Sequence, residues 1–149
     1  MTDYKILIEQ LKSLTAGVSH LISNLANAAA LLFHSLDDVN WAGFYLADGD
    51  KLVLGPFQGN VACIEIPFGR GVCGSAAVQN KTLVVDNVHN FVGHIACDGA
   101  SLSEIVVPIR KDGKVVGVLD VDSPIESRFS EKDREGLENF AQTVEGFWN

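Results

Sequence analysis

The sequence predicts an α+β fold, in which one antiparallel sheet is flanked by helices near the amino and carboxyl ends. Apolar residues recur at helical spacing at both ends of the chain, whereas the middle shows the two-residue period of strands. Turn signals join these strands as hairpins, and no alternation of strand, helix and strand is sustained, which argues against a parallel sheet. The length of 149 residues fits one domain, so we expect a single domain over residues 1–149.

Two helices are predicted at the amino end. They share one apolar stripe, formed by Leu7, Leu11, Leu14, Val18, Leu21 and Leu25. Gly17 interrupts the stripe, and Thr15 or Ser19 is expected to cap the second helix, which ends near Ser35. The stripe favours packing against the sheet over a seam between two copies of the chain, although a homodimer is compatible with it.

Strand patterns occupy most of the remaining chain. The predicted strands cover residues 41–46, 51–57, 61–66, 82–86, 105–110 and 114–122. A glycine-rich turn over residues 67–74 leads into a short helix through Gln79, and residues 87–103 form an irregular segment. Asp-Gly turn signals close a hairpin at Gly113, and Ser130 with Asp133 predicts a capping box at the start of the last helix.

The composition excludes several classes of partner. A net charge of -8 argues against nucleic acid and anionic membranes, because both need clustered Lys and Arg. No apolar run approaches the ~20 residues of a membrane span. The polar first residues lack the layout of a signal peptide, so a cytoplasmic location is expected.

The chain has three cysteines, Cys63, Cys73 and Cys97. Their number is odd, and a purely structural set of disulfides would be unusual in a reducing compartment. With no CxxC pair and four histidines, a structural zinc site is not expected, and no metal ligand is predicted. One interpretation is that all three are small buried apolar residues. The other interpretation is that some of them are reactive thiols. Cys97 lies in the irregular segment, where His94 would act to lower its pKa and the neighbouring Asp98 would act to raise it. Cys73 opens the short helix, whose dipole favours a thiolate. Cys63 falls in a predicted strand and by itself looks structural.

The last predicted strand carries two carboxylates on an apolar face. Val116, Val118, Asp120 and Asp122 alternate toward one side, while Val115, Gly117, Leu119 and Val121 point to the other. The aspartates are either at a solvated strand end or in a small acidic pocket, where they would bind an ammonium group.

Trp41 and Tyr45 likewise share one face of the first strand, with Gly43 between them. They are either core residues or the aromatic wall of a pocket for a methyl or thioether group.

Four segments resemble the free methionine-(R)-sulfoxide reductase family, and the likeness extends from the first helix to Phe147. They are Asn40-Trp41-Ala42-Gly43-Phe44-Tyr45, Gly69-Arg70-Gly71-Val72-Cys73-Gly74, Cys97-Asp98 and Gly117-Val118-Leu119-Asp120-Val121-Asp122-Ser123. The three cysteines at these separations make the match specific. The resemblance implies a GAF domain, with Cys97 as nucleophile, Cys63 as the likelier resolving thiol and Cys73 as the other candidate. It further implies a substrate site made by Glu104, Asp120 and Asp122 around the amine and by Trp41 and Tyr45 around the methyl-sulfoxide end.

The function expected from this resemblance is reduction of free L-methionine-(R)-sulfoxide to methionine. A sulfenic acid on the nucleophilic cysteine would condense with a second thiol, and thioredoxin, fed indirectly by NADPH, would reduce the resulting disulfide. No bound cofactor is expected. The acid that protonates the departing oxygen is one of the three carboxylates, and the residues alone do not select it. Two alternatives are a GAF module that senses a small molecule and a thiol redox sensor without a substrate.

Overall fold

The computed structural model describes residues 2–95 and 99–149. Its helices are α1 (Tyr4–Thr15), α2 (Leu21–Ser35), α3 (Gly71–Gln79) and α4 (Glu131–Glu145). Its strands are β1 (Trp41–Asp48), β2 (Lys51–Gly59), β3 (Glu65–Pro67), β4 (Leu83–Val85), β5 (Ser103–Lys111) and β6 (Lys114–Ser123). Within these ranges, the six strands form one sheet in the order β3-β2-β1-β6-β5-β4, and every neighbouring pair is antiparallel. The α+β prediction is therefore confirmed.

Helices cover both faces of this sheet. One face packs against α2 and α4, and α1 packs on these two helices. Together they bury the larger core, which includes Leu11, Leu25, Phe44 and Phe140. The other face packs against α3 and buries a smaller cluster around Trp41. None of the described helices combines the length and apolar character that crossing a lipid bilayer requires.

The two amino-terminal helices form as predicted, but their boundary differs. His20 is the N-cap of α2 and makes no side-chain cap hydrogen bond, so the predicted cap by Thr15 or Ser19 is wrong. The Thr15 hydroxyl instead donates to the Leu11 carbonyl within α1. The predicted apolar stripe is also broken, because Leu14 lies at the end of α1 and remains 49% exposed.

The turn signals between strands and before the last helix were accurate. Asp112 and Gly113 both have positive φ, at 53° and 78°, as a two-residue turn of the type I′ class between β5 and β6 requires. The Ser130–Asp133 capping box is present at the start of α4. The third predicted strand was too long, since β3 begins only at Glu65. Cys63 therefore lies in a loop and not in a strand.

The strand β6 contains an irregularity that changes which residues share a face. Its pairing with β5 shifts between Ile109 and Arg110, and Val116 has no partner in the register. Consequently Val115 packs with the α3-side cluster and Val116 with the larger core, the reverse of the prediction. The alternation from Gly117 to Asp122 is regular, and it directs both aspartates toward α3.

Candidate active site

A cavity lies between α3 and the sheet, at the end of β6 that carries the aspartates. Its lining includes Trp41, Tyr45, Ile66, Val72, Cys73, His94, Glu104, Asp120 and Asp122. Strand register brings the polar members together: Asp122 pairs with Trp41 on one side and with Glu104 on the other. The structure thus places seven of the eight predicted site residues around or beside one cavity, with Cys63 packed against the same cluster. Cys97, the eighth, lies outside the described residues.

The three carboxylates of the cavity are buried close to one another. Glu104 and Asp122 are 9% exposed and Asp120 only 5%. Among the described residues, Asp120 Oδ1 has no hydrogen-bond partner. Burial, and then the nearby charges of Asp122 and Glu104, raise the pKa of Asp120 well above its usual value. Burial and the neighbouring acids therefore favour the protonated form of Asp120, whereas a positive charge in the cavity would favour its ionised form.

Cys73 belongs to this acidic cluster. Its Sγ donates to Glu104 Oε2 across 3.9 Å, and the side chain is buried. Burial raises the pKa of the Cys73 thiol, and the charges of Asp120 and Glu104 raise it further. The expected thiolate at the helix opening is therefore wrong, because burial among carboxylates outweighs the partial charge of the helix dipole.

The aromatic wall of the cavity is formed by Trp41 and Tyr45, and a third ring, Phe57, supports it by stacking on Trp41. Trp41 and Tyr45 have ring centroids 6.0 Å apart, and Phe57 stacks on Trp41 at 5.1 Å. A β-carbon on Gly43 would meet the Phe57 β-carbon at 2.3 Å, so the space between the two predicted rings is filled by Phe57. Sequence alternation missed Phe57 because β2 is irregular near Pro56, and a proline within a strand run is the signal that could have found it.

The same aromatic residues hold the loop that carries Cys63. Tyr45 Oη donates to the Cys63 carbonyl at 2.9 Å, and Trp41 Nε1 donates to the Asn60 carbonyl at 3.0 Å. Burial, followed by the charge of Asp120, raises the pKa of Tyr45, so its hydroxyl remains a donor. Cys63 is disulfide-bonded, whereas Cys73 is a free thiol. The wall thus connects the cavity to the loop that carries the disulfide-bonded Cys63, and no sequence pattern indicated these two backbone contacts.

Comparison with known proteins identifies the class to which this fold and cavity belong. The GAF-domain family model matches residues 18–146, so the protein contains a GAF domain. The free methionine-R-sulfoxide reductase of Escherichia coli is 49% identical over 142 residues, which cover 95% of this chain and 86% of that protein.

Solved structures show the same relationship. The fRMsr of Staphylococcus aureus in its reduced form has a TM-score of 0.96 and 50% identity, covering 100% of this chain and 97% of that one. Free methionine-R-sulfoxide reductase from Neisseria meningitidis, solved in complex with its substrate, has a TM-score of 0.94 and 45% identity, covering 97% and 88%. The chain belongs to the free methionine-R-sulfoxide reductase family, which are oxidoreductases acting on sulfur.

Proposed function

We propose that this chain reduces free L-methionine-(R)-sulfoxide to methionine, with Cys97 as the nucleophile. The observation that carries the proposal is the cluster of three buried carboxylates beside an aromatic wall. An α-ammonium group would form charge-assisted hydrogen bonds with the carboxylates of Glu104, Asp120 and Asp122. The side chain of the same amino acid would then reach Trp41 and Tyr45, whose rings suit a methyl group.

The reaction follows from the chemistry of a sulfoxide. The Cys97 thiolate attacks the sulfoxide sulfur, the oxygen accepts a proton, and methionine leaves while the oxygen remains on Cys97 as a sulfenic acid. We infer that Asp120 donates the proton, because burial and the neighbouring acids raise its pKa and favour its protonated form. Arrival of the substrate ammonium would then lower that pKa and favour the transfer.

Cys63 is the resolving thiol in this proposal. Condensation of its thiol with the Cys97 sulfenic acid forms a disulfide and releases water. Two observations favour Cys63 over Cys73: Cys63 is already disulfide-bonded, and Cys73 is buried where its thiolate is disfavoured. An external dithiol, for which we propose thioredoxin supplied by NADPH in the cytoplasm, then restores both thiols by exchange. No bound cofactor enters these steps.

The cavity also accounts for a preference for the free amino acid. A methionine sulfoxide residue inside a peptide has no ammonium group, so the buried carboxylates would lose their partner and remain desolvated. An unpaired buried polar group of this kind costs several kcal/mol in binding, which corresponds to a discrimination of about 10⁴.

The test is a coupled assay that follows NADPH consumption with thioredoxin and thioredoxin reductase. We expect turnover with the free (R) sulfoxide and none with the free (S) form or with a peptide-bound sulfoxide. Cys97→Ser should abolish turnover. Cys63→Ser should release about one methionine per chain without recycling, while Cys73→Ser should turn over above that level. No turnover of any sulfoxide by a folded, reduced sample would favour a GAF module that binds a small molecule.

A further inference from the structure

The acidic cavity contains a set of donors that an ammonium group alone does not explain. Among the described residues, Cys73, Glu104 and Asp120 each place one ligand atom within 4.8 Å of the other two, and all three are buried. The Cys73 Sγ to Glu104 Oε2 distance is 3.9 Å. One oxygen of the most buried carboxylate, Asp120 Oδ1, has no hydrogen-bond partner among the described residues. A thiol contributes little to ammonium binding, but it is a strong ligand for soft metal ions.

We propose that Cys73, Glu104 and Asp120 form a site for a thiophilic divalent cation such as Zn²⁺ or Cd²⁺. In a tetrahedral zinc site, metal–sulfur bonds of about 2.3 Å and metal–oxygen bonds of about 2.0 Å place the ligand atoms about 3.3–3.5 Å apart. The Cys73 Sγ to Glu104 Oε2 distance therefore needs to shorten by about 0.4 Å and the other separations by at most about 1.5 Å, which rotamer adjustment can supply. Sequence spacing does not predict such a site, because the ligands come from α3, β5 and β6.

The donor set decides which cations bind. One thiolate and two carboxylates suit Zn²⁺ and Cd²⁺, whereas Mg²⁺ prefers six oxygen ligands and keeps most of its water. On binding, the metal–sulfur bond replaces the S–H bond of Cys73, and the proton leaves to solvent. The cavity has about 50 Å³ of free volume. This is several times the ~10–15 Å³ that one water molecule needs, so an ion and a water fourth ligand can enter.

A cation at this position would compete with the substrate. It would bind Glu104 and Asp120, which the proposed function gives to the substrate ammonium, so this consequence rests on that function. The binding itself does not rest on it. Thiophilic cations would then inhibit the protein through Cys73, independently of Cys63 and Cys97, which the proposed function places in the redox cycle.

The experiment separates Cys73 from the other two cysteines. In the Cys63→Ser/Cys97→Ser double variant, Cys73 is the only thiol, so a Cd²⁺–thiolate absorption band in the ultraviolet reports on this site alone. We expect one Cd²⁺ per chain, no binding of Mg²⁺, and loss of the band on adding Cys73→Ser. The dissociation constant should rise at least about tenfold with Glu104→Gln, because even indirect changes around a metal have such effects. Circular dichroism checks that each variant is folded.

A competition experiment tests whether Cd²⁺ and the substrate bind to the same residues. Free methionine sulfoxide should weaken Cd²⁺ binding to the double variant in proportion to its concentration. Equal Cd²⁺ binding with and without Cys73, or no binding at high micromolar Cd²⁺, would overturn the metal site. If Cd²⁺ binds through Cys73 while the wild-type chain reduces no sulfoxide, the metal site stands and the proposed function fails.

Discussion

Two buried aspartates show how differently this fold treats the same side chain. Asp133 begins α4 and is 9% exposed, and Asp120 in the cavity is 5% exposed. Asp133 accepts hydrogen bonds from Tyr4 Oη at 2.7 Å, from the Ser130 amide at 2.9 Å and from Arg128 Nη1 at 3.0 Å. Asp120 instead faces two other carboxylates, and its Oδ1 has no partner among the described residues.

The pKa shifts of the two aspartates are opposite. At Asp133, burial opposes ionisation, but hydrogen bonds from Ser130 and Tyr4 and the charge of Arg128 lower its pKa overall. At Asp120, burial and the neighbouring acids act in the same direction and raise the pKa. The fold surrounds Asp133 with hydrogen-bond donors and a cation, which favour its ionised form, whereas it surrounds Asp120 with other acids, which favour its protonated form. The comparison therefore separates Asp133, which stabilises the protein when ionised, from Asp120, whose ionisation destabilises it.

The largest expected effect is on catalysis at Asp120. Asp120→Asn keeps the shape of the side chain but removes the charge and the donated proton. We expect kcat/KM for free methionine sulfoxide to fall by about 100-fold or more, since loss of one partner from a buried charge pair costs ~2–5 kcal/mol. Steady-state kinetics measure the change. Wild-type kinetics would show that Asp120 is not part of the substrate site.

The matched change at Asp133 should affect stability and leave catalysis unchanged. Asp133→Asn removes the charge that faces Arg128, whose side chain is only 14% exposed. We expect the free energy of unfolding to fall by about 3 kcal/mol, as when one partner of a buried ion pair is removed. Urea denaturation of the reduced protein measures it. A comparable fall in kcat/KM for the folded variant would contradict the division between the two aspartates.

The contributions of Asp133 and Asp120 to stability should depend on pH with opposite signs. Asp133 has a lowered pKa in the folded state, so its stabilisation is present above the unfolded value of 3.8 and is lost as pH falls. Asp120 has a raised pKa, so its contribution is present below 3.8 and is lost as pH rises through the folded value. Urea denaturation between pH 4 and 8 should therefore show Asp120→Asn becoming increasingly more stable than the wild type as pH rises. A difference that is constant over this range would show that Asp120 does not titrate in the folded protein.

The sequence predicted the positions of these aspartates but not their environments. Strand alternation placed Asp120 on the correct face, because β6 is regular beyond Gly117, and the capping pattern found Asp133. Local patterns could not show that Tyr4, 129 residues away, donates to Asp133. They also gave the wrong direction for the pKa of Cys73, because burial and charges contributed by other strands decide it. Contacts between distant elements are thus what sequence patterns leave undetermined.

The smallest effects should come from two tyrosines that each lose one hydroxyl. Tyr4→Phe removes a donor to Asp133, and we expect it to lower the free energy of unfolding by about 1 kcal/mol without changing kcat/KM.

Tyr45→Phe keeps the aromatic wall but removes the hydrogen bond to the Cys63 carbonyl, so the loop would hold Cys63 less well for attack on the sulfenic acid. We expect thioredoxin-dependent turnover to slow by about tenfold, while a single turnover of reduced protein keeps its rate. Stopped-flow measurement of methionine release against disulfide formation distinguishes the two steps. Equal slowing of both would mean that the Tyr45 hydroxyl acts on the substrate and not on the loop.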